Sequence, residues 1–513
     1  MPIALTRRGF LGFSAGAALV LGGCGGADGA GDGAGGEPKR GGRLRALFTG
    51  GGTKETLDPH AQNLFIDQAR HKAIFDKLTE LGDDLAPVPR LAERWESNAD
   101  ATLWRFTLRQ ARFHDGQPLT GEDVLFSLAR ILDPAAGDRL ARQSLSAIDL
   151  GRSRVADPRT VEIAVTTPSA ELPALLATTG AAIVRAGYAD PAKPVGTGPF
   201  RFVSFDPGRS LIAQRFDEHW EGAPHLDELH ILSADADARA NALQGGQAEY
   251  AHEMSPTFAR TAEAGRTVKI VAAPGSTTQA FVLKTDRPPF DNPDVALAFK
   301  LLADRPRLVE VVLGGRGVPG NDLFGKGYRY YHDALPQRPR DVAEARSLLT
   351  KAGVLNQTIQ FFTSTVSAGF VDAATLFAEQ AGEAGIRVEV VTGAAETYFK
   401  DQLTTGVLGS HRAGAAPIPD YINSRLLSTS PFNATAWKRP EFDAAFATAQ
   451  STVDEAERTR LYHDLQRDLH DRGGLLAWGH PDWINAVAAN VHGVQAVPPN
   501  TVNWARFDKV WLG

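Results

Sequence analysis

Leu103-Trp104-Arg105-Phe106-Thr107-Leu108-Arg109, then Phe113-His114-Asp115-Gly116, then Thr120-Gly121-Glu122-Asp123-Val124-Leu125-Phe126-Ser127-Leu128 read as strand, turn and helix in one run. Trp104, Phe106 and Leu108 alternate with Arg105, Thr107 and Arg109, the period of a half-buried strand. Asp115-Gly116 is a turn pair. Thr120 to Asp123 resembles a capping box, and Val124, Leu125, Leu128, Ile131 and Leu132 then recur at helical spacing. A second helix is expected over Asp341 to Ala352, capped by Asp341 and Glu344 and stopped by Gly353. A third runs from Asp454 to His470, with Leu461, Leu465 and Leu469 four residues apart and Gly473-Gly474 at its end. Strands and helices interleave from Gly41 onward, which predicts an α/β protein. The absence of a repeat with a period of about 20 to 50 residues argues against a solenoid or propeller.

At 513 residues the chain is several times the ~150 residues of one domain and predicts two to four. Hydrophobic residues are 43% and charged residues 22%, which argues against collagen, coiled coil and wholesale disorder. The net charge of −6 gives no global attraction to nucleic acid. Cys24 is the sole cysteine, so intrachain disulfides, CxxC redox chemistry and multi-cysteine zinc sites are excluded.

The cysteine's position is informative. Arg7-Arg8-Gly9-Phe10-Leu11, an apolar run to Leu21 and Leu21-Gly22-Gly23-Cys24 have the order of a secretory signal. The twin arginine resembles a Tat signal. The last four residues resemble a lipobox, which implies a signal peptide over 1–23 and lipid on Cys24. Removing Arg7 and Arg8 takes the net charge to −8. Residues 24–40 then form the lipidated cysteine and a Gly-, Ala- and Asp-rich flexible linker. Gly12-Phe13-Ser14-Ala15-Gly16 matches a nucleophile elbow and Gly31 to Gly36 matches GxGxxG, but neither has the strand those motifs need.

Several stretches together resemble the family 5 extracellular solute-binding proteins, the dipeptide- and oligopeptide-binding components of bacterial ABC importers. They are Leu91-Ala92-Glu93-Arg94-Trp95-Glu96, the opening stretch above, Gly196-Thr197-Gly198-Pro199-Phe200 and Asp217-Glu218-His219-Trp220. Phe281 to Thr285, Pro288-Pro289-Phe290-Asp291 and Asp304-Arg305 follow in order. The resemblance implies a two-lobed periplasmic-binding-protein fold, type II-like, with the extra subdomain of the peptide-binding family, mixed sheets and a two-strand hinge. Lobe I would be 41–277 plus 487–513 and lobe II 278–486. The expected product is an exported, membrane-anchored monomer. It would close on a small solute or short peptide and deliver it to ABC permease subunits, without catalysis, cofactor, metal or nucleic acid. His114 and Asp115, being neighbours, do not form an acid/base pair. The Gly196-Thr197-Gly198 stretch reads as a turn rather than a phosphate cradle.

The resemblance also implies two ligand-contacting segments. One follows Leu57-Asp58-Pro59-His60 and points to Asn63, Leu64 and Phe65, which read equally well as the first turn of a helix. The other is the loop His411, Arg412, Ala413, Gly414, Ala415, Ala416, Pro417, Ile418, Pro419 and Asp420. Aligned on its prolines, it has Ala415 where relatives carry the aspartate that anchors a peptide's amino group. Asp420 replaces that aspartate only if the loop shifts register. A buried amine left without a counter-charge costs several kcal/mol, so a neutral or anionic solute is expected instead. Arg412 suits an anion, and His411 beside it adds positive character. Trp437, Trp478 and Trp483 are stacking candidates, two of the three being expected in the core. The competing readings are a ligand sensor for a signalling partner and a secreted hydrolase, for which no nucleophile-base or paired-carboxylate arrangement is evident.

Overall fold

Strand Thr278–Leu283 is buried at every position, as a strand covered on both faces must be. In the computed structural model it lies within a six-stranded mixed sheet, antiparallel to Leu408–Ala413 on one side and Leu475–Pro481 on the other. Thr358–Ser364 and Arg387–Gly393 extend the sheet as a parallel pair. Phe281 anchors the core against it, with ring centroids 4.9 Å from both Phe361 and Phe377. The structure describes residues 37–513 except 51, 62–63, 138, 264, 266, 395–396, 431 and the side chain of 54. The signal, the lipobox at Cys24, most of the linker and the Asn63 contact expected from sequence therefore lie outside the described residues.

A seven-stranded sheet forms a second layer. Arg43–Phe48 runs parallel to Glu228–Ser233 and Tyr250–Ala251 near its centre, and Val268–Ala273 pairs with Trp483–Ala488 at one side. The strand-turn-helix stretch builds a separate four-stranded antiparallel sheet, in which Leu103–Leu108 lies between Ala92–Ser97 and Thr160–Val165. Trp104, Phe106 and Leu108 are buried as their alternation predicts. Helix Gly121–Leu132 packs Val124, Leu128 and Ile131 into the same cluster, and the Thr120 N–H donates to Asp123 Oδ2 at 2.8 Å. Asp341 caps Val342–Lys351 and Asp454 caps Glu455–Arg472.

The chain passes from the seven-stranded sheet to the six-stranded sheet after Ala273 and returns between Pro481 and Trp483. The two passages run side by side: Ala273 is paired with Trp483 and Gln279 with Gly479. The Gly275 N–H donates to Asp482 Oδ1 at 3.2 Å. This is a two-strand hinge. Away from it, Leu81, Leu85, Ala174 and Ala177 share one buried cluster with Leu323, Phe324, Tyr330, Ala413 and Tyr421. Segments preceding the first passage thus pack against segments that follow it.

Candidate functional site

The most specific motifs converge on a structural hub. Asp76 Oδ2 accepts hydrogen bonds from Thr197 Oγ1 and Trp220 Nε1, each at 3.0 Å, and Oδ1 accepts from Arg90 Nη2 at 2.9 Å. Trp220 is also covered by the Arg90 and Arg109 guanidinium groups, at 4.6 and 4.0 Å. Gly196 and Gly198 press on the end of helix Phe65–Ile74. A Cβ at Gly196 would lie 2.0 Å from the Ile74 carbonyl oxygen, so only glycine fits. His114 donates from Nε2 to the Gly198 carbonyl at 2.9 Å and accepts the Gly196 N–H on Nδ1 at 3.3 Å. Burial holds its pKa down to about 4, which suits a neutral ring in that role. Asp115 instead pairs with Arg185 at 2.8 Å.

The cleft lies elsewhere. A cavity of about 110 Å³ is lined by Ala415, Ala416, Pro417, Pro419 and Asp420 on one side. Lys77, Leu81, Thr178, Thr179 and Asn500 face them. At its edge Glu171, 3% exposed, accepts from Tyr330 Oη at 2.7 Å and Arg329 Nη1 at 3.3 Å and pairs with Arg458 Nε at 2.9 Å. Helix Leu172–Leu175 brings Glu171 to this edge from the end of the four-stranded sheet, and helix Glu455–Arg472 carries Arg458 from the other side.

The segment expected as a loop is the end of strand Leu408–Ala413 followed by helix Ile418–Arg425. Strand geometry places His411 and Arg412 on opposite faces. His411 is buried, and burial lowers its pKa to about 3, so the positive character expected from it is corrected to a neutral ring. Arg412 is exposed; its charge is felt by Glu253, whose carboxyl burial pushes above its usual value and Arg412 pulls back. Ala413 is buried, Gly414 exposed and Ala415 half-buried at the cavity wall. Asp420 lies in the first turn of its helix, its pKa raised by burial and opposed by the Arg425 charge.

Leu64 is the N-cap of helix Phe65–Ile74 and 41% exposed. Phe65 joins an aromatic group beside the hinge, 4.9 Å from Trp483 and 5.1 Å from His252 by ring centroids. Of the three tryptophans, Trp478 is core at 1% exposure. Trp437, expected as a ligand contact, is 3% exposed, its ring stands 4.9 Å from Phe442, and it lines a separate cavity of about 20 Å³ rather than the one at Ala415. Trp483 remains in the aromatic group.

Lys77, Glu171, Thr178 and Asn500 line the cavity without having stood out in the sequence. None belongs to a motif at fixed spacing, and the fold alone brings them together. Asn500 offers one faint signal, its left-handed φ of 64°, a conformation asparagine tolerates better than most residues.

A model of bacterial extracellular solute-binding proteins, family 5 Middle, matches residues 86–434. A glutathione-binding protein of Pectobacterium atrosepticum is 27% identical over 461 residues, covering 86% of this chain and 87% of its own. The ABC transporter substrate-binding protein CtaP of Listeria monocytogenes superposes with a TM-score of 0.83 at 20% identity, covering 92% of this chain and 100% of its own. The binding protein AgaA from A. tumefaciens R10, in complex with agropinic acid, gives 0.74 at 26% identity, with coverage of 92% and 99%.

Proposed function

The chain belongs to the family 5 bacterial extracellular solute-binding proteins, and from that premise we propose that it captures a neutral or anionic small solute rather than a peptide clamped by its amino group. It serves as the substrate-binding component of an ABC importer. The observation that carries the ligand reading is the cavity wall at Ala415, where a methyl group faces the space. A desolvated ammonium there would lack a counter-charge, at a cost of several kcal/mol. Asp420, on the same wall, has its carboxylate disfavoured by burial and is poorly suited to replace it. The relatives' ligands, glutathione and agropinic acid, both carry carboxylates, although glutathione is a peptide that also carries an α-ammonium group.

We assign ligand contact to Ala415 and Asp420, with Lys77, Thr178 and Asn500 opposite; contact to Leu64, Phe65 and Arg412, which do not line this cavity, is reserved for a solute long enough to reach beyond it. The proposed lobes are 41–277 plus 482–513 and 278–481. The pairing of Trp483–Ala488 with the seven-stranded sheet supports placing the return boundary at 481/482 in place of 486/487. Cys24 is read as a lipid anchor after export, and the protein as a binding component without catalysis. Calorimetry against di- to pentapeptides, sugars and organic acids tests the ligand reading. Sugars or acids are expected to bind, with peptides weak; tight peptide binding that is lost in Asp420→Ala would contradict it.

A further inference from the structure

The cleft cavity shares two lining residues, Lys77 and Asn500, with a second cavity. The inner cavity, about 30 Å³, is bounded by His71, Lys72, Phe75, Glu80 and Trp504. Its charges are unequal. Lys72 donates to the Thr501 carbonyl at 2.7 Å and stands 3.2 Å from Glu80 Oε2, which also faces Arg90 at 3.9 Å. Arg90 is held more closely by Asp76 and Glu221, at 2.9 and 2.8 Å, so Glu80 is left chiefly to Lys72. Lys77 makes no ion pair among the described residues, and its one hydrogen bond runs to the Ala177 carbonyl at 2.8 Å. An ammonium has three donors, so two are left. Burial pushes the Lys77 pKa down, with only the Glu80 charge opposing it.

Trp504 adds a second unused donor. It is 2% exposed, and its Nε1 has no partner among the described residues; an indole N–H can only donate. His71 Nε2, on the same wall, is likewise unpartnered, and burial keeps its ring neutral by lowering its pKa to about 3. The wall at Lys77 thus carries unused donors and an ammonium with no ion-pair partner among the described residues. That favours a planar monoanion over a phosphate dianion, which would need a second free cation, and Lys72 is already committed.

Resting on the cleft reading above, we propose that the Lys77 ammonium and the Trp504 indole N–H receive a carboxylate of the captured solute, making small carboxylic acids the substrate class. Lys77 is then a specificity-determining residue. The uncharged acceptor Asn500 Oδ1, also unpartnered, suits a hydroxyl or amide N–H elsewhere on the same molecule.

The test is calorimetry on the full mature chain, freed of endogenous ligand, with glutarate, citrate and N-acetylglutamate, their methyl esters, and maltose as an uncharged probe. At least one acid is expected to bind. Lys77→Met should weaken that acid by about 30-fold or more, the usual penalty for removing one member of a buried charge pair. Its methyl ester should bind wild type and variant within about threefold of each other. Trp504→Phe keeps the ring packing and should weaken the acid alone. Equal affinity of the acid for wild type and a folded Lys77→Met overturns the inference. Binding confined to maltose also overturns it but leaves solute capture in the cleft standing. Binding of no probe contradicts both.

Discussion

Glu171→Ala is expected to open the unliganded molecule. The carboxylate is held by Tyr330, Arg329 and Arg458, groups that reach it only when segments on the two sides of the hinge are together. Arg458 stays in place without it, because its guanidinium also donates to Tyr330 Oη and to the carbonyls of Thr452 and Val453 at 2.7–2.8 Å. The variant therefore leaves a buried cation without its anion in the closed form, a penalty of about 3–5 kcal/mol. Opening relieves it. Moving a two-state balance from 1:99 to 99:1 takes about 5.5 kcal/mol, so this one contact is large enough to reverse most of the preference. Small-angle scattering should show a larger radius of gyration than wild type. Ligand affinity should fall in proportion to the closed fraction lost. The unfolding midpoint should fall as well, since Tyr330 and Ala174 beside the contact belong to the one buried cluster that both sides share. Unchanged scattering and affinity would mean that Glu171 does not hold the cleft shut.

Asp76→Ala should produce a large loss of stability, about 2–4 kcal/mol, because it leaves the buried Thr197 and Trp220 donors unsatisfied and removes one of the carboxylates that hold Arg90, which keeps Glu221 at 2.8 Å. Burial pushes the Asp76 carboxyl up, but His219, Arg90 and Trp220 outweigh it and hold the group well below the usual carboxylate range. The unfolded chain, with a carboxyl near pKa 3.9, binds the proton more readily than the native state. The contribution is then fully present above about pH 4 and disappears as the pH falls below that. Urea denaturation of wild type and variant at pH 7 and at pH 3 checks both parts. The gap should be wide at pH 7 and narrower at pH 3; a gap below about 1 kcal/mol at pH 7, or one that widens in acid, contradicts the hub.

How much was legible follows from which interactions are local. Alternation placed Trp104, Phe106 and Leu108 inward, and Asp341 and Asp454 announced their helices, because strand period and capping are read within a few residues. The motif at Gly196-Thr197-Gly198 was legible as a turn, yet its reason, contact with Ile74 and Asp76 more than a hundred residues earlier, was not. The loop expected at 411–420 failed for a related cause: Arg412 pairs in register with Gln279, and a strand assigned by a distant neighbour leaves little mark on its own sequence. His411 carried the same lesson in electrostatics, since burial decides its charge and burial is a property of the fold. Lys77 and Trp504, 427 positions apart in the numbering, could be joined only by the folded chain.

The most direct measurement is a crystal structure of the mature protein purified with the solute it retains. A small molecule is expected between Ala415–Asp420 and the wall of Lys77, Thr178 and Asn500, with no ammonium group against Ala415. A peptide whose amino group is held by Asp420, or a solute bound outside this cavity, would contradict it.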